Sequence, residues 1–244
     1  MSKFLTYDEI LVKCEEINTK YQMKQERFDK IVDCMLDNEE ISADDKIAKA
    51  FVQLLQVVSE EISGMESAAD LMPTCQMGCA FCCYFPIVIN KMEARLIKNA
   101  IHKMPDDKKH FMKKHLDQYY QTFGEKINRL SAIDMISDPD AKYKYKKENL
   151  PCPFLNLETN ACIIYEFRPL PCRTYVNYTD PRVCADNIMP KETISYEFLY
   201  QEYMGAMNEL LQYLYENEKL EKIDYPGDLY QEDLLINWMK ETGQ

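Results

Sequence analysis

The stretch on which the interpretation of this sequence depends is Pro73-Thr-Cys75-Gln-Met-Gly-Cys79-Ala-Phe-Cys82-Cys83-Tyr-Phe-Pro86, which carries four thiols within nine residues. Four more cysteines follow in a second region: Cys152, Cys162, Cys172 and Cys184. The 68 residues between Cys83 and Cys152 contain no cysteine. Eight of the ten cysteines in this 244-residue chain therefore lie in two regions. This clustering predicts that the two regions act together.

The spacing inside the first region suits chelation. On a helix that advances about 100° per residue, all four sulfurs would share one face. Pro73 and Pro86 bracket the stretch and Gly78 loosens it, so a single irregular turn is an equal alternative. Either form brings sulfurs together at the C-x3-C and C-x2-C spacings that let two thiolates bind one tetrahedral ion. Soft thiolates select zinc, copper(I) or iron-sulfur clusters, and the competing interpretation is a row of buried cysteines without a metal.

The chain start and the cysteine count together predict a reducing compartment. Asp8 and Glu9 come before any apolar stretch typical of a secretory signal, and no run approaches about 18 apolar residues, the length of a membrane span. We therefore expect a cytoplasmic protein without a membrane partner. Glutathione keeps paired thiols reduced there, so ten cysteines indicate metal ligation or redox chemistry rather than a disulfide framework.

Charge limits the partners and adds two candidate site residues. The net charge of −12 argues against nucleic acid, which requires a basic face. The expected partner is a metal ion, and a protein partner stays open. Arg168 and Arg173 lie beside the second cysteine region. Four thiolates on one divalent ion leave two negative charges uncompensated, so these arginines are candidate cofactor-binding residues, with surface ion pairs as the alternative.

Hydrophobic periodicity predicts a mostly α fold: a bundle-like single domain with a small irregular and hairpin-containing cysteine-rich core that binds metal. Residues 1–70 are predicted to form a helical hairpin, with one long helix over 7–36 and a second helix capped by Ser42. Cys14 and Cys34 are interpreted as small buried hydrophobic residues of the first helix. All three histidines, His102, His110 and His115, lie in a lysine-rich segment that we interpret as a solvated helix face.

The cysteine domain is predicted to span 71–190 and to include a helical insertion at 91–150. Asn90 should cap the first helix of this insertion, with Glu93 at the capping-box position, and Pro105 should open the next. A small hairpin should bring Cys152 near Cys162, and Pro169, Pro171 and Pro181 should keep the chain irregular to about residue 190. Helices over 191–244 should pack on the same core.

The combined motif resembles the YkgJ-type cysteine cluster family. Cys75-x3-Cys79-x2-Cys82-Cys83 is followed by Phe85-Pro-Ile-Val-Ile-Asn90, by Cys152-Pro-Phe-Leu and by Cys162-Ile-Ile-Tyr with Cys172-Arg173. The match covers about residues 73–90 and 150–185. The resemblance implies a zinc- or iron-chelating domain with the ligand candidates Cys75, Cys79, Cys82, Cys83, Cys152, Cys162 and Cys172. Cys184 matches the family motif less closely and is added as an eighth candidate.

Two enzyme classes compete with a simple metal-binding function. Cys75-x3-Cys79-x-Phe81-Cys82 has the radical S-adenosylmethionine spacing, but the chain lacks the alternating strands and helices of a β/α barrel. The sequence is also similar to flagellin lysine N-methylase, which implies iron-sulfur-dependent methyl transfer from S-adenosylmethionine. The leading hypothesis is a cytosolic protein that chelates zinc or an iron-sulfur cluster, structurally or for metal and redox handling. Whether it is an enzyme is left undecided.

Overall fold

The computed structural model describes residues 4–76, 78–135, 137–218, 220 and 223–240. Within these residues the fold is mostly α, as predicted, with eleven α-helices and six strands of two or three residues. Helices α1 to α11 span Tyr7–Lys20, Glu26–Leu36, Ala43–Ala69, Lys91–His102, Asp106–Leu130, Ala141–Lys147, Leu170–Thr174, Arg182–Asp186, Phe198–Asn217, Gly227–Tyr230 and Leu235–Lys240. Strands β1 to β6 span Val88–Asn90, Leu155–Asn156, Ala161–Cys162, Tyr175–Asn177, Thr193–Ser195 and Glu232–Leu234.

The chain divides into two compact units. The first unit comprises Met1–Cys75, Arg173–Val183 and Lys191–Tyr230, and the second comprises Gln76–Cys172, Cys184–Pro190 and Gln231–Gln244. The sequence predicted a division into 1–70, 71–190 and 191–244. The first and last of these parts include residues 1–3 and 241–244, which lie outside the described residues. That three-part division stays a prediction. No helix in the described ranges is both long enough and apolar enough to cross a membrane.

The first unit is built around α3. Helices α1, α2 and α9 pack against it, and strands β4 and β5 pair antiparallel. Apolar residues recur at helical spacing along one face of α3, and Phe51, Leu54 and Val58 on this face are almost fully buried. Ser42 caps the helix by accepting the Asp45 N–H at 3.2 Å, as the sequence predicted.

The predicted single helix over 7–36 is wrong, because the chain leaves the helix after Lys20 and re-enters it at Glu26. The cause lies on α3, where the carboxylate of Glu61 is fully buried. This carboxylate accepts three hydrogen bonds, two from the segment between the helices and one from the first turn of α2. The Tyr21 hydroxyl donates to it at 2.9 Å and the Lys24 N–H at 3.3 Å. Arg27 Nη1 donates at 2.9 Å. The extended backbone at Tyr21 lets these donors converge.

The two isolated cysteines of this region differ in exposure. Cys14 on α1 is half-buried, and burial raises the pKa of its thiol. Cys34 on α2 is exposed, so its interpretation as a buried hydrophobic residue is wrong. Helix α2 buries Phe28, Val32 and Met35, which are spaced four and three residues apart and so share one face. Cys34 lies outside that face.

The second unit packs α4, α5 and α11 with the antiparallel pair of β1 and β6, in which Val88 lies opposite Leu234. Asn90 caps α4 by accepting the Glu93 N–H at 2.7 Å, and α5 begins directly after Pro105, so both predicted helix starts are confirmed. A cluster of buried side chains forms the core of this unit: Tyr119, Ile127, Leu130, Tyr145, Leu150, Leu234 and Ile236.

The predicted hairpin is confirmed, with β2 and β3 antiparallel and Leu155 opposite Cys162. The prediction that the prolines keep 169–190 irregular is wrong, since α7, β4 and α8 lie within this range. Pro171 lies in the first turn of α7, where a backbone N–H would have no helical partner, and Pro181 immediately precedes α8. Proline at these positions starts a helix instead of preventing one.

Candidate metal centre

The first cysteine stretch forms a tight irregular turn. A 3-10 helix over Phe81–Tyr84 carries Cys82 and Cys83. The N–H of Cys79 donates to the Gln76 carbonyl at 2.9 Å, which closes an adjacent turn. Gly78 has a φ of 92°, a left-handed conformation that glycine adopts without strain. Of the two forms that the sequence allowed, the single irregular turn is the one that forms.

A backbone hydrogen bond joins the two cysteine regions within the second unit. The N–H of Cys152 donates to the carbonyl of Cys83 at 2.7 Å. The β2–β3 hairpin then returns the chain to Cys162. The N–H of Cys172 closes a turn onto the Pro169 carbonyl at 3.0 Å. Short elements therefore bring residues about 70 positions apart in sequence to one place.

Helix α5 holds the segment that carries Cys152. The Tyr119 hydroxyl donates to the Pro151 carbonyl at 2.6 Å, and His115 Nε2 lies 2.9 Å from the Pro153 carbonyl. Since a carbonyl only accepts, Nε2 is the donor in this contact. Sequence reasoning missed this role for His115 because nothing in a lysine-rich helix marks which histidine faces a distant carbonyl.

Neighbouring thiols determine how readily the two cysteines of the 3-10 helix ionise. The Cys83 thiol donates a hydrogen bond to Cys82 and lowers the pKa of Cys82 to about 7, an effect that the charge of Arg168 reinforces and that burial and Cys79 oppose. The same hydrogen bond raises the pKa of Cys83 far above its ordinary value, together with burial and the charges of Cys82, Cys152 and Cys172. Of this pair, Cys82 is the thiol that ionises first, and Cys83 is the donor.

Burial also shifts the pKa of two thiols in the second region. Burial raises the pKa of Cys152 to about 12, with added repulsion from Cys162 and Cys82. Burial also raises the pKa of Cys172 well above its ordinary value, and Cys152, Cys82 and Cys162 add to the effect. Each further thiolate is therefore costly unless a cation accompanies it. An all-sulfur set of this kind fits a soft metal ion, which replaces the protons.

Two side-chain cations act on these thiols. The guanidinium of Arg168 lowers the pKa of Cys82 and opposes the rise at Cys172, and it lies 4.3 Å from the ring centroid of Tyr165. Lys146 of α6 interacts electrostatically with Cys82, Cys184 and Cys83. The sequence placed Lys146 only in the helical insertion at 91–150, because its position relative to the thiols depends on how α6 packs.

Two predicted site residues lie in the first unit. Cys75 is exposed, and its sulfur accepts the Asn177 N–H at 3.3 Å. Arg173 is nearly buried, and its Nη1 donates to the Ser59 hydroxyl at 2.9 Å. Their assignment to metal or cofactor binding stays a prediction.

The thiols interact without forming a completed coordination sphere. Within the described ranges, which include all ten cysteines, no group of three or more Cys, His, Asp or Glu side chains is arranged to hold a metal ion. None of the ten cysteines forms a disulfide. The ligand set and its grouping into sites therefore stay predictions, supported by the electrostatic interactions described above.

Residues 74–193 match the model of the CxxCxxCC family, described as a "putative zinc- or iron-chelating domain". This range contains both cysteine regions, so the predicted resemblance to a zinc- or iron-chelating cysteine domain is confirmed, while the YkgJ-type label and the similarity to flagellin lysine N-methylase stay predictions. The comparison with curated proteins and the comparison with solved structures each gave no match. The family description supports zinc or iron binding and gives no support to S-adenosylmethionine or to a methylase.

Proposed function

We propose that residues 74–193, which belong to the CxxCxxCC family, bind zinc or iron through cysteine thiolates of the second unit. The observation that carries this proposal is the hydrogen bond of 2.7 Å from the Cys152 N–H to the Cys83 carbonyl, which joins the two cysteine regions. The proposed ligands are Cys79, Cys82, Cys83, Cys152, Cys162 and Cys172, with Cys184 as an additional candidate. Cys75 stays in the predicted set on the family motif alone.

Charge explains why these thiols favour a metal. Burial raises the pKa of Cys152 and Cys172, and repulsion from neighbouring sulfurs adds to the effect. A divalent ion or a cluster compensates this charge and binds the sulfurs directly. One zinc takes four ligands and one [2Fe–2S] or [4Fe–4S] cluster also takes four, so the number of thiols suits either, and we take an iron-sulfur cluster as the form to test first. We place the protein in the cytoplasm, where such thiols stay reduced.

Serine substitutions test whether these cysteines are ligands. We expect Cys79→Ser and Cys82→Ser to abolish or greatly weaken metal binding, because serine cannot replace a thiolate toward a soft metal. Cys14→Ser is the control, since Cys14 is a half-buried residue on α1 in the first unit. It should keep the wild-type metal content. The measurement is metal per chain by elemental analysis of protein purified anaerobically. Equal metal loss in all three variants, or no loss in any, would show that the ligands are misassigned.

A further inference from the structure

Lys146 occupies an unusual position for a lysine. Its ammonium group donates a hydrogen bond to the carbonyl of Phe81, the first residue of the 3-10 helix that carries Cys82 and Cys83. It also lies 4.4 Å from the ring centroid of Phe85 and 5.5 Å from that of Tyr84. The ammonium thus contacts both the backbone and the aromatic side chains of the turn that presents two thiols.

The other lysines of α6 are placed differently. Lys142, Lys144 and Lys147 are exposed, whereas Lys146 is half-buried. Lys144 pairs with Asp138 at 2.6 Å. The packing of α6 therefore directs Lys146, and none of these three, toward Phe81. Burying an ammonium costs free energy, and here the nearby charges of Cys82, Cys184 and Cys83 offset part of that cost.

We propose that Lys146 is the fixed counter-charge of the thiol site and that it positions the 3-10 helix over Phe81–Tyr84 for metal binding. This inference rests on the proposed function. A set of four thiolates around a divalent ion keeps two negative charges, and Lys146 and Arg168 bring two positive charges to these sulfurs. Lys146 acts from beside the ligands and is a positioning residue, not a ligand.

The test uses the full chain, purified anaerobically and freed of metal, with Zn²⁺ alone as the probe. Zinc affinity is measured by competition with a chromophoric chelator, and folding is checked by circular dichroism. Lys146→Met removes the charge and the donor, Lys146→Gln keeps a donor without the charge, and Lys146→Arg keeps both. Lys147→Met is the matched control, because Lys147 is an exposed lysine on the same helix.

We expect Lys146→Met and Lys146→Gln to weaken zinc binding about 10- to 100-fold, the range seen when residues that support metal ligands are removed. Lys146→Arg should stay within about threefold of wild type, and Lys147→Met should match wild type. Wild-type affinity in the Met and Gln variants would overturn the inference and leave the proposed function intact. Equal weakening in the Arg variant would overturn the role of charge. If wild type takes up no zinc, the inference fails, and the proposed function fails with it only if the chain also takes up no iron when ferrous iron and sulfide are supplied under reducing conditions.

Discussion

At the scale of single residues, one buried carboxylate determines where the chain leaves the helical conformation between α1 and α2. Glu61 is fully buried, and the hydroxyl of Tyr21 and the guanidinium of Arg27 reach it from the break between α1 and α2 and from the turn that follows. Gly64, one turn further along α3, leaves room for the Tyr21 ring, since a Cβ there would lie 2.5 Å from the tyrosine oxygen. One carboxylate thereby fixes a break that contains no proline or glycine.

Glu61→Ala should destabilise the protein strongly, because it leaves the Tyr21 hydroxyl and Nη1 of Arg27 without their acceptor. Breaking a buried pair costs about 3 to 5 kcal/mol, and the partial exposure of Arg27 reduces our expectation to about 3 kcal/mol. Glu60→Ala is the control, since Glu60 pairs with the same arginine but is exposed, and it should cost less than about 1 kcal/mol. Urea denaturation measures both. Equal losses would contradict the role of burial.

At the scale of elements, the cysteine segments have little regular structure of their own. The 3-10 helix contains four residues, strands β2 and β3 two each, and α7 five. Their order depends on contacts with longer elements, such as the hydrogen bond from Tyr119 of α5 to Pro151. Elements this short make few regular hydrogen bonds of their own, so a bound metal would add to the stability that buried side chains such as Phe154 and Leu170 provide.

Removal of the metal should therefore loosen residues 76–86 and 150–172 together. A metal that takes ligands from both segments makes them open together when it is removed. Helix α5 should stay protected, because it keeps its own helical hydrogen bonds and its buried face. Hydrogen exchange of metal-loaded and metal-free protein measures this, with α5 as the internal control and circular dichroism to follow helix content. If both segments keep their protection after verified metal removal, the site is preformed and the metal does not order it.

At the scale of the whole molecule, the features that depend on neighbouring residues were predictable from the sequence. The caps at Ser42 and Asn90 and the start of α5 after Pro105 follow from side chains within three residues of each helix end. The family motif in the two cysteine regions could likewise be recognised from the sequence. What the sequence did not reveal depends on distant partners: Glu61 breaks a helix about 40 positions away, and Lys146 reaches Phe81 across 65 positions.

The central claim is that the thiols of the second unit bind a metal, and the metal content of the intact chain tests it most directly. Protein purified without oxygen should contain stoichiometric iron and be brown, with the visible absorption of an iron-sulfur cluster that disappears in air. A colourless sample with one or two zinc ions per chain would retain the thiolate site and reverse the preference for iron. Protein that contains neither metal, and that binds neither when it is supplied under reducing conditions, would contradict the account.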